Sequence, residues 1–275
     1  MTEVAHRFED GAGYERFMGQ WSRAIGAAFI DWLAVPPGAC WLDLGCGTGV
    51  FTALVIDRCS PARVIALDPA EAQIAHARRQ PMLQRAEFHT ADAQALPFAD
   101  ATFDIVAAAL VMNFIPDPPR ALAEMRRVAR PGAVVAGYVW DFSQERSPSW
   151  PLRLGLRACG HDVPDVPGTR ASTLDALSNL FRSAGLEDVA TTSIEVTQHY
   201  ADFPEFWDAQ TPSYSPTTRM IVAMATAERE RLREATRARL PSTPDGRISY
   251  CARANAIKGR APRTRITPPP SACCG

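Results

Sequence analysis

Three glycines at alternate positions, Gly45, Gly47 and Gly49, follow the apolar run Trp41-Leu-Asp-Leu44, and an acid, Asp43, sits two residues before the first of them. Glycine lets a turn bring its backbone against a ligand where any Cβ would collide. From Val50 to Ile56 the chain resumes an apolar pattern that opens a helix, and a helix N-terminus aims free N–H groups over the turn. This is the chemistry of a loop that cradles a nucleotide-like ligand. The spacing narrows the choice. A dinucleotide loop reads G-x-G-x-x-G, and the position of its third glycine is Val50 here. A P-loop needs Gly-Lys-Ser/Thr, and no lysine lies nearby.

Two further acids follow in order. Val64-Ile-Ala-Leu-Asp68 reads as a second buried strand ending in a carboxylate, about twenty residues past the glycine turn, where a ribose-binding acid belongs. Ala86-Glu-Phe-His-Thr-Ala-Asp92 is a third run with an acid at its end, and Phe103 to Val111 is a fourth, almost wholly apolar, as for a strand buried on both faces. With these pieces in place the chain resembles the class I S-adenosylmethionine-dependent methyltransferases, most of all the small-molecule branch of quinone-biosynthesis-like, type 11 enzymes. The resemblance rests on Leu42-Asp-Leu-Gly-Cys-Gly-Thr-Gly49, Ala66-Leu-Asp-Pro69, Ala91-Asp-Ala-Gln-Ala-Leu-Pro-Phe98 with Phe103-Asp104, and Leu122 through Arg130-Pro-Gly132. It is close over residues 14–142 and looser to about residue 260.

The resemblance implies S-adenosylmethionine as cofactor and a set of binding residues. The backbone from Gly45 through Cys46 and Gly47 to Gly49 would lie along the methionine portion, with Asp43 facing its ammonium. Asp68, followed by Pro69, would accept from both ribose hydroxyls. Asp92 would take the adenine amino group, with the Ala93 backbone beside it. Leu110 to Asn113 would line the floor near the sulfonium. Each acid has a plainer alternative: Asp43 as a turn cap, Asp68 as a turn residue before proline, Asp92 as a strand terminator. Cys46 reads as a small buried hydrophobe rather than a nucleophile, and Asp100 and Asp104 as structural or exposed.

No residue is marked as catalytic, which suits an in-line displacement that mainly needs geometry. His161 and His199 are candidate bases and equally plain structural histidines. Tyr14, Phe17, Met18, Trp21 and Arg23 precede the core, where such enzymes fold a cover over the donor. Trp140, Trp150 and Trp207 are candidates for an apolar acceptor pocket or for core. Asn113-Phe-Ile-Pro116 is not the Asn-Pro-Pro-Tyr motif of amino methylation, and no metal-ligand set of the catechol type is present. The implied partner is a small-molecule methyl acceptor. No residue pattern marks the accepting atom as O, N, C or S, and none marks an oligomeric state. The competing readings are an NAD(P)-dependent oxidoreductase, which Val50 argues against, and a non-catalytic donor-binding homologue, which the intact turn and acids argue against.

The elements that must hold these residues are legible. Trp21, Ala24, Ile25, Ala28, Phe29, Trp32 and Leu33 recur at helical spacing, and Pro36-Pro-Gly38 ends that helix. Strand and helix then alternate to about Phe142, the mark of a parallel sheet. Arg120 to Ala129 reads as a helix stopped by Pro131-Gly132, and Ala133 to Trp140 as the fifth strand. Residues 143–170 read as a loop or lid insertion. Ser172-Thr-Leu-Asp175 reads as a cap and acid opening a helix that runs to Ala184. Val189–Tyr200 alternates as a strand, Pro204–Trp207 and Thr217–Arg239 read as helical, and Arg247–Ile257 as the last strand. The expectation is therefore an α/β, Rossmann-like, doubly wound fold: a mostly parallel seven-stranded sheet, helices on both faces, and by resemblance an antiparallel seventh strand beside the fifth. Residues 1–260 would be a single domain, with a donor-binding core at 14–142 and acceptor-side insertions at 143–170 and 200–245. Residues 261–275, with Pro268-Pro-Pro270, would be a disordered tail.

With 275 residues, 47% hydrophobic, the chain is long enough for one domain with a large core. A net charge of -1 leaves no electrostatic footprint for nucleic acid. No run of about 18 apolar residues and no N-terminal apolar signal occur, so no membrane partner and a cytoplasmic location are expected. Seven scattered cysteines without a C-x-x-C pair read as reduced thiols.

Overall fold

A computed structural model describes residues 11–211 and 216–263, with helix side chains described from Met18 and from Thr217 onward in the two stretches. In chain order they form α1 (Gly11–Leu33), β1 (Cys40–Leu44), α2 (Val50–Cys59), β2 (Arg63–Asp68), α3 (Glu71–Arg78), β3 (Ala86–Thr90), β4 (Phe103–Ala109), α4 (Pro118–Val128), β5 (Ala129–Trp140), α5 (Trp150–Ala158), α6 (Leu174–Ser183), β6 (Glu187–Tyr200), α7 (Phe203–Gln210), α8 (Pro216–Ala223), α9 (Thr226–Arg237) and β7 (Ile248–Arg260). All seven strands join one sheet in the order β3-β2-β1-β4-β5-β7-β6. The first five are mutually parallel, and β7 runs antiparallel to both β5 and β6. This is the expected Rossmann-like, mostly parallel sheet with its antiparallel seventh strand. No helix among the described residues is long and apolar enough to cross a membrane.

Pleating decides which side chains meet. In β1, Trp41 enters the core on the α1 and α2 face, while Leu42 and Leu44 enter the core on the opposite face. Period-two alternation therefore puts Asp43 on the α1 and α2 side, where it is fully buried. On that face Trp21, Ile25 and Phe29 of α1 are wholly buried, and the Phe29 ring packs at a tilt against Tyr138 of β5 with 4.6 Å between centroids. The helix stops at Ala34, which adopts the left-handed conformation at φ 52 and returns its N–H to Ile30 O.

Several boundaries differ from the sequence expectation. The third strand ends at Thr90, and Asp92 opens the following turn by accepting from Gln94 N at 2.8 Å. Pairing of β5 begins at Ala129 rather than Ala133. A register shift against β4 between Phe103 and Ile105 absorbs Pro131 and Gly132, the usual device for carrying a proline within a strand. The 143–170 stretch is not only loop: α5 lies within it, with Pro151 in the first turn, where its missing N–H costs nothing. The cap of α6 is Thr173, not Ser172. Thr173 accepts from Ala176 N at 3.1 Å, while Ser172 turns inward and donates to Thr169 O at 2.7 Å. The expected long helix over 217–239 is broken at Ala225, whose extended backbone separates α8 from α9. The last strand runs three residues further than expected. Ala261, expected to begin the tail, is buried and pairs with Ala133 and Gly132. The tail beyond 263 lies outside the described residues.

Candidate cofactor and acceptor site

Strand order reverses between β1 and β4, and in open α/β sheets ligands sit outside the carboxyl ends of the strands at such a switch point. A cavity of about 820 Å³ opens there. Gly45, Cys46 and Gly47 line it from the turn after β1, Asp68 and Pro69 from the end of β2, and Asp92 and Ala93 from the turn after β3. Asp43 reaches it from β1, and Leu110 and Asn113 from the segment after β4. Ten of the sequence-singled residues thus share one cavity wall set. Gly49 does not line the cavity.

The three glycines do different work. All have positive φ: 73 at Gly45, 53 at Gly47 and 89 at Gly49. A Cβ on Gly45 would come within 2.7 Å of Val111 Cβ, and one on Gly49 would overlap the Leu83 side chain. A Cβ on Gly47 would meet nothing within 4 Å. Gly45 and Gly49 are therefore required by packing, whereas Gly47 leaves open space on the cavity side. The turn is pinned to β2: Gly45 N and Cys46 N donate to Leu67 O at 2.8 and 2.9 Å, and Gly47 N donates to Asp68 Oδ2 at 3.0 Å.

Burial sets the electrostatics. Asp43 accepts from Thr52 Oγ1 at 2.6 Å through one oxygen, and its Oδ1 has no hydrogen-bond partner. Desolvation pushes this carboxyl up to about 7; the Thr52 bond pulls it down and nearby Asp68 pushes it further up. Burial also raises Asp68, against the lowering effect of N–H donors from Ala70 and Gly47. Its two oxygens each accept one backbone bond, which leaves each with further capacity to accept. The Cys46 thiol is pushed well up by burial and by both acids, so it stays neutral. Asp92 is held by its own turn, with Gln94 Nε2 at 3.1 Å from both oxygens. Leu110 occupies the left-handed region at φ 58, a strain of about 1–2 kcal/mol for a non-glycine residue. Its N–H donates to Tyr138 O at 2.8 Å. Asn113 is buried and donates from Nδ2 to Pro167 O at 3.3 Å, tying the end of β4 to the 143–170 segment.

Other candidates fall away from the cavity. His161 pairs with Glu228 at 3.3 Å, and His199 is exposed on β6; neither lines the cavity. Trp140 and Met18 line it, whereas Trp21 and Trp207 are core and Trp150 donates to Cys251 O. Arg23 is exposed on α1, and the side chains of Tyr14 and Phe17 lie outside the described residues. Asp104 is structural, accepting from Cys40 N and Arg130, and Asp100 pairs with Arg127. Among the described residues no cluster of His, Cys, Asp and Glu could hold a metal ion. Sequence reading missed Ser22, Tyr138, Ser147, Arg153 and Gln210, all of which line the cavity. No motif marks them.

A parallel sheet, a glycine turn at its switch point and an acid at the end of β2 define a nucleotide-handling α/β protein whose loop spacing is not that of a dinucleotide enzyme. A family model described as a methyltransferase domain matches residues 42–137. The chain is 37% identical over 154 residues to a 2-phytyl-1,4-naphtoquinone methyltransferase of Thermosynechococcus vestitus, covering 54% of this chain and 68% of that protein. It is 35% identical over 188 residues to a malonyl-[acyl-carrier protein] O-methyltransferase of Pectobacterium atrosepticum, covering 67% of this chain and 70% of that one. It spans about half the length of several further curated relatives. A solved phosphoethanolamine N-methyltransferase 2 of Haemonchus contortus, in complex with S-adenosyl-L-methionine, shares the fold with a TM-score of 0.58 at 14% identity, over 94% of this chain and 58% of that one. The chain belongs to the class I S-adenosylmethionine-dependent methyltransferases, in their small-molecule branch, and its cofactor is S-adenosylmethionine. The site fits that cofactor on two counts: open space over Gly47 where a Cβ would intrude, and a buried carboxylate oxygen on Asp43 with no partner of its own.

Proposed function

We propose that this chain methylates a small-molecule acceptor at the cavity between β1 and β4, releasing S-adenosylhomocysteine. The observation that carries the reading is the convergence of Asp43, the glycine turn, Asp68 and Asp92 on one cavity, to whose other walls the 143–170 segment, α1, β5, α7 and α8 all contribute. S-adenosylmethionine supplies an electrophilic methyl group that already carries its leaving group. In this reading the Gly45–Gly49 backbone holds the methionine end and Asp43 faces the ammonium. Asp68 accepts from the ribose hydroxyls through its two remaining lone pairs, and Asp92 with Ala93 holds the adenine edge. Leu110 and Asn113 bound the space where the acceptor approaches. No base is assigned, because the two candidate histidines lie off the cavity. Positioning and exclusion of water are the protein's contributions.

Residues 14–142 serve as the donor-binding core, and 143–170 with 200–245 as the acceptor side. Calorimetry with S-adenosylhomocysteine tests the reading: micromolar-range binding is expected. Asp68→Ala, which removes two charge-assisted acceptor positions, should weaken it by roughly tenfold to a hundredfold. A wild-type chain that binds NADH but not S-adenosylhomocysteine would overturn it.

A further inference from the structure

Charge is divided across the cavity. Its acids, Asp43, Asp68, Glu71 and Asp92, all come from β1, β2, α3 and the turn after β3. Among the described residues that line it, Arg153 is the sole cation, and it comes from α5 on the wall built by the 143–170 segment. We propose that the acceptor carries an oxyanion, a carboxylate or a phosphate, that pairs with Arg153. The inference rests on the methyl-transfer reading above and adds the acceptor's chemical class to it.

Arg153 is half-buried, beside Leu152, which is 2% exposed. A side-chain hydrogen bond runs from its Nη2 to Pro164 O at 3.0 Å and uses one of five N–H donors. No carboxylate forms an ion pair with it among the described residues. Glu145, which stands close enough to be felt, is taken by Arg157. Asp165 acts on it only through space. Burial and the neighbouring Arg157 together lower this guanidinium from its ordinary value. A partly desolvated cation without a counter-ion is a cost to the fold that an incoming anion removes. The guanidinium fork matches both carboxylate and phosphate.

Its surroundings extend the match. Ser147 and Ser149 line the same wall with hydroxyls 3.2 Å apart. Ser149 precedes α5 but makes no capping bond, so its hydroxyl is not spent on the helix. Trp140, Phe142, Leu152 and Val166 complete that side with apolar surface. The acceptor's class is therefore an apolar body bearing one oxyanion. The segregation also has a logic: the acids suit a donor that carries cationic charge, and the arginine would repel that donor from the acceptor side.

The experiment uses the full chain saturated with S-adenosylhomocysteine and four probes of one length: octanoate, octyl phosphate, octanamide and octanol. Calorimetry on the wild type should show octanoate or octyl phosphate binding at least about tenfold tighter than octanamide and octanol. Whichever of the two oxyanions binds tighter identifies the group. Arg153→Met should reduce the preference to about twofold or less, while Arg153→Lys, which keeps the charge and loses the fork, should fall between. Affinity for S-adenosylhomocysteine should stay within about twofold in both variants, which shows a folded donor site. Equal affinity for charged and neutral probes, no binding of either oxyanion, or a preference that survives Arg153→Met overturns the inference. A wild-type chain that binds no S-adenosylhomocysteine overturns the methyl-transfer reading instead.

Discussion

Asp43 is a carboxylate held where water does not reach, with one oxygen on Thr52 and the other unpaired. Raised from 3.8 to about 7, it favours the fold when protonated. That contribution, on the order of 4 kcal/mol, is complete below pH about 4 and is lost as pH rises through about 7. A ligand ammonium facing Asp43 would favour the ionised form, so binding would release a proton below pH 7. Affinity for S-adenosylhomocysteine should therefore climb with pH up to about 7 and then level off, and Asp43→Asn should flatten the climb. Titrations in two buffers of different ionisation enthalpy check the proton release; none at pH 6 would sink the coupling. Residue types at the donor end were legible because acids and glycines at fixed spacing carry their own chemistry. Arg153 and Gln210 were not, since a lone arginine or glutamine has no spacing to read and becomes informative only once α5 and α7 bring it to a cavity wall.

At the scale of elements, the glycine turn separates packing from ligand space. Gly45→Ala drives a Cβ into Val111 and forces a left-handed alanine, so a loss of about 2–4 kcal/mol in urea unfolding is expected. Gly47→Ala meets open space and should cost only about 1 kcal/mol of stability, yet it should weaken S-adenosylhomocysteine binding by more than Gly45→Ala weakens it per unit of stability lost. A Gly47→Ala chain with unchanged affinity would show that the ligand does not pass over that residue. The strands of the core were readable because buried runs bounded by turns have few other interpretations. At two of the boundaries that shifted, tertiary packing decided the outcome. Pro131 and Gly132 look like a strand delay but are absorbed by a shift against β4. Ala225 carries no breaker at all, yet α9 leaves the line of α8 and packs on α5, where a Cβ on Gly155 would overlap Thr236.

In the molecule as a whole, the segment after β5 is bolted to β7, the neighbouring antiparallel strand. Asp141, 2% exposed, accepts from Arg253 Nε and Nη2 at 3.0 and 2.6 Å, from Ser143 Oγ and from Gln144 N. Asp141→Ala leaves a mostly buried guanidinium without its carboxylate and should lower the stability by about 2–3 kcal/mol, read from the urea midpoint. Asn255, buried in the middle of β7, donates to Ser172 O at 2.8 Å and accepts from Ser193 Oγ at 2.7 Å, fixing β7 against both β6 and the approach to α6. None of this was visible in the residue pattern: the position of β7 came from resemblance alone, because alternation shows that a strand exists and not which neighbours it takes.

That position has a consequence for how the protein is made. The two strands that flank β7 are translated long before it, so the growing chain carries β5 and β6 without the partner that joins them until Arg260 has left the ribosome. The donor loop is by then long finished, while an open sheet edge waits for β7 to be synthesised. Slow late closure of this kind invites pairing with other nascent chains. A chain terminated after Gly246 should appear in the pellet rather than the supernatant, and supplying residues 247–263 as a separate peptide during refolding should recover part of it.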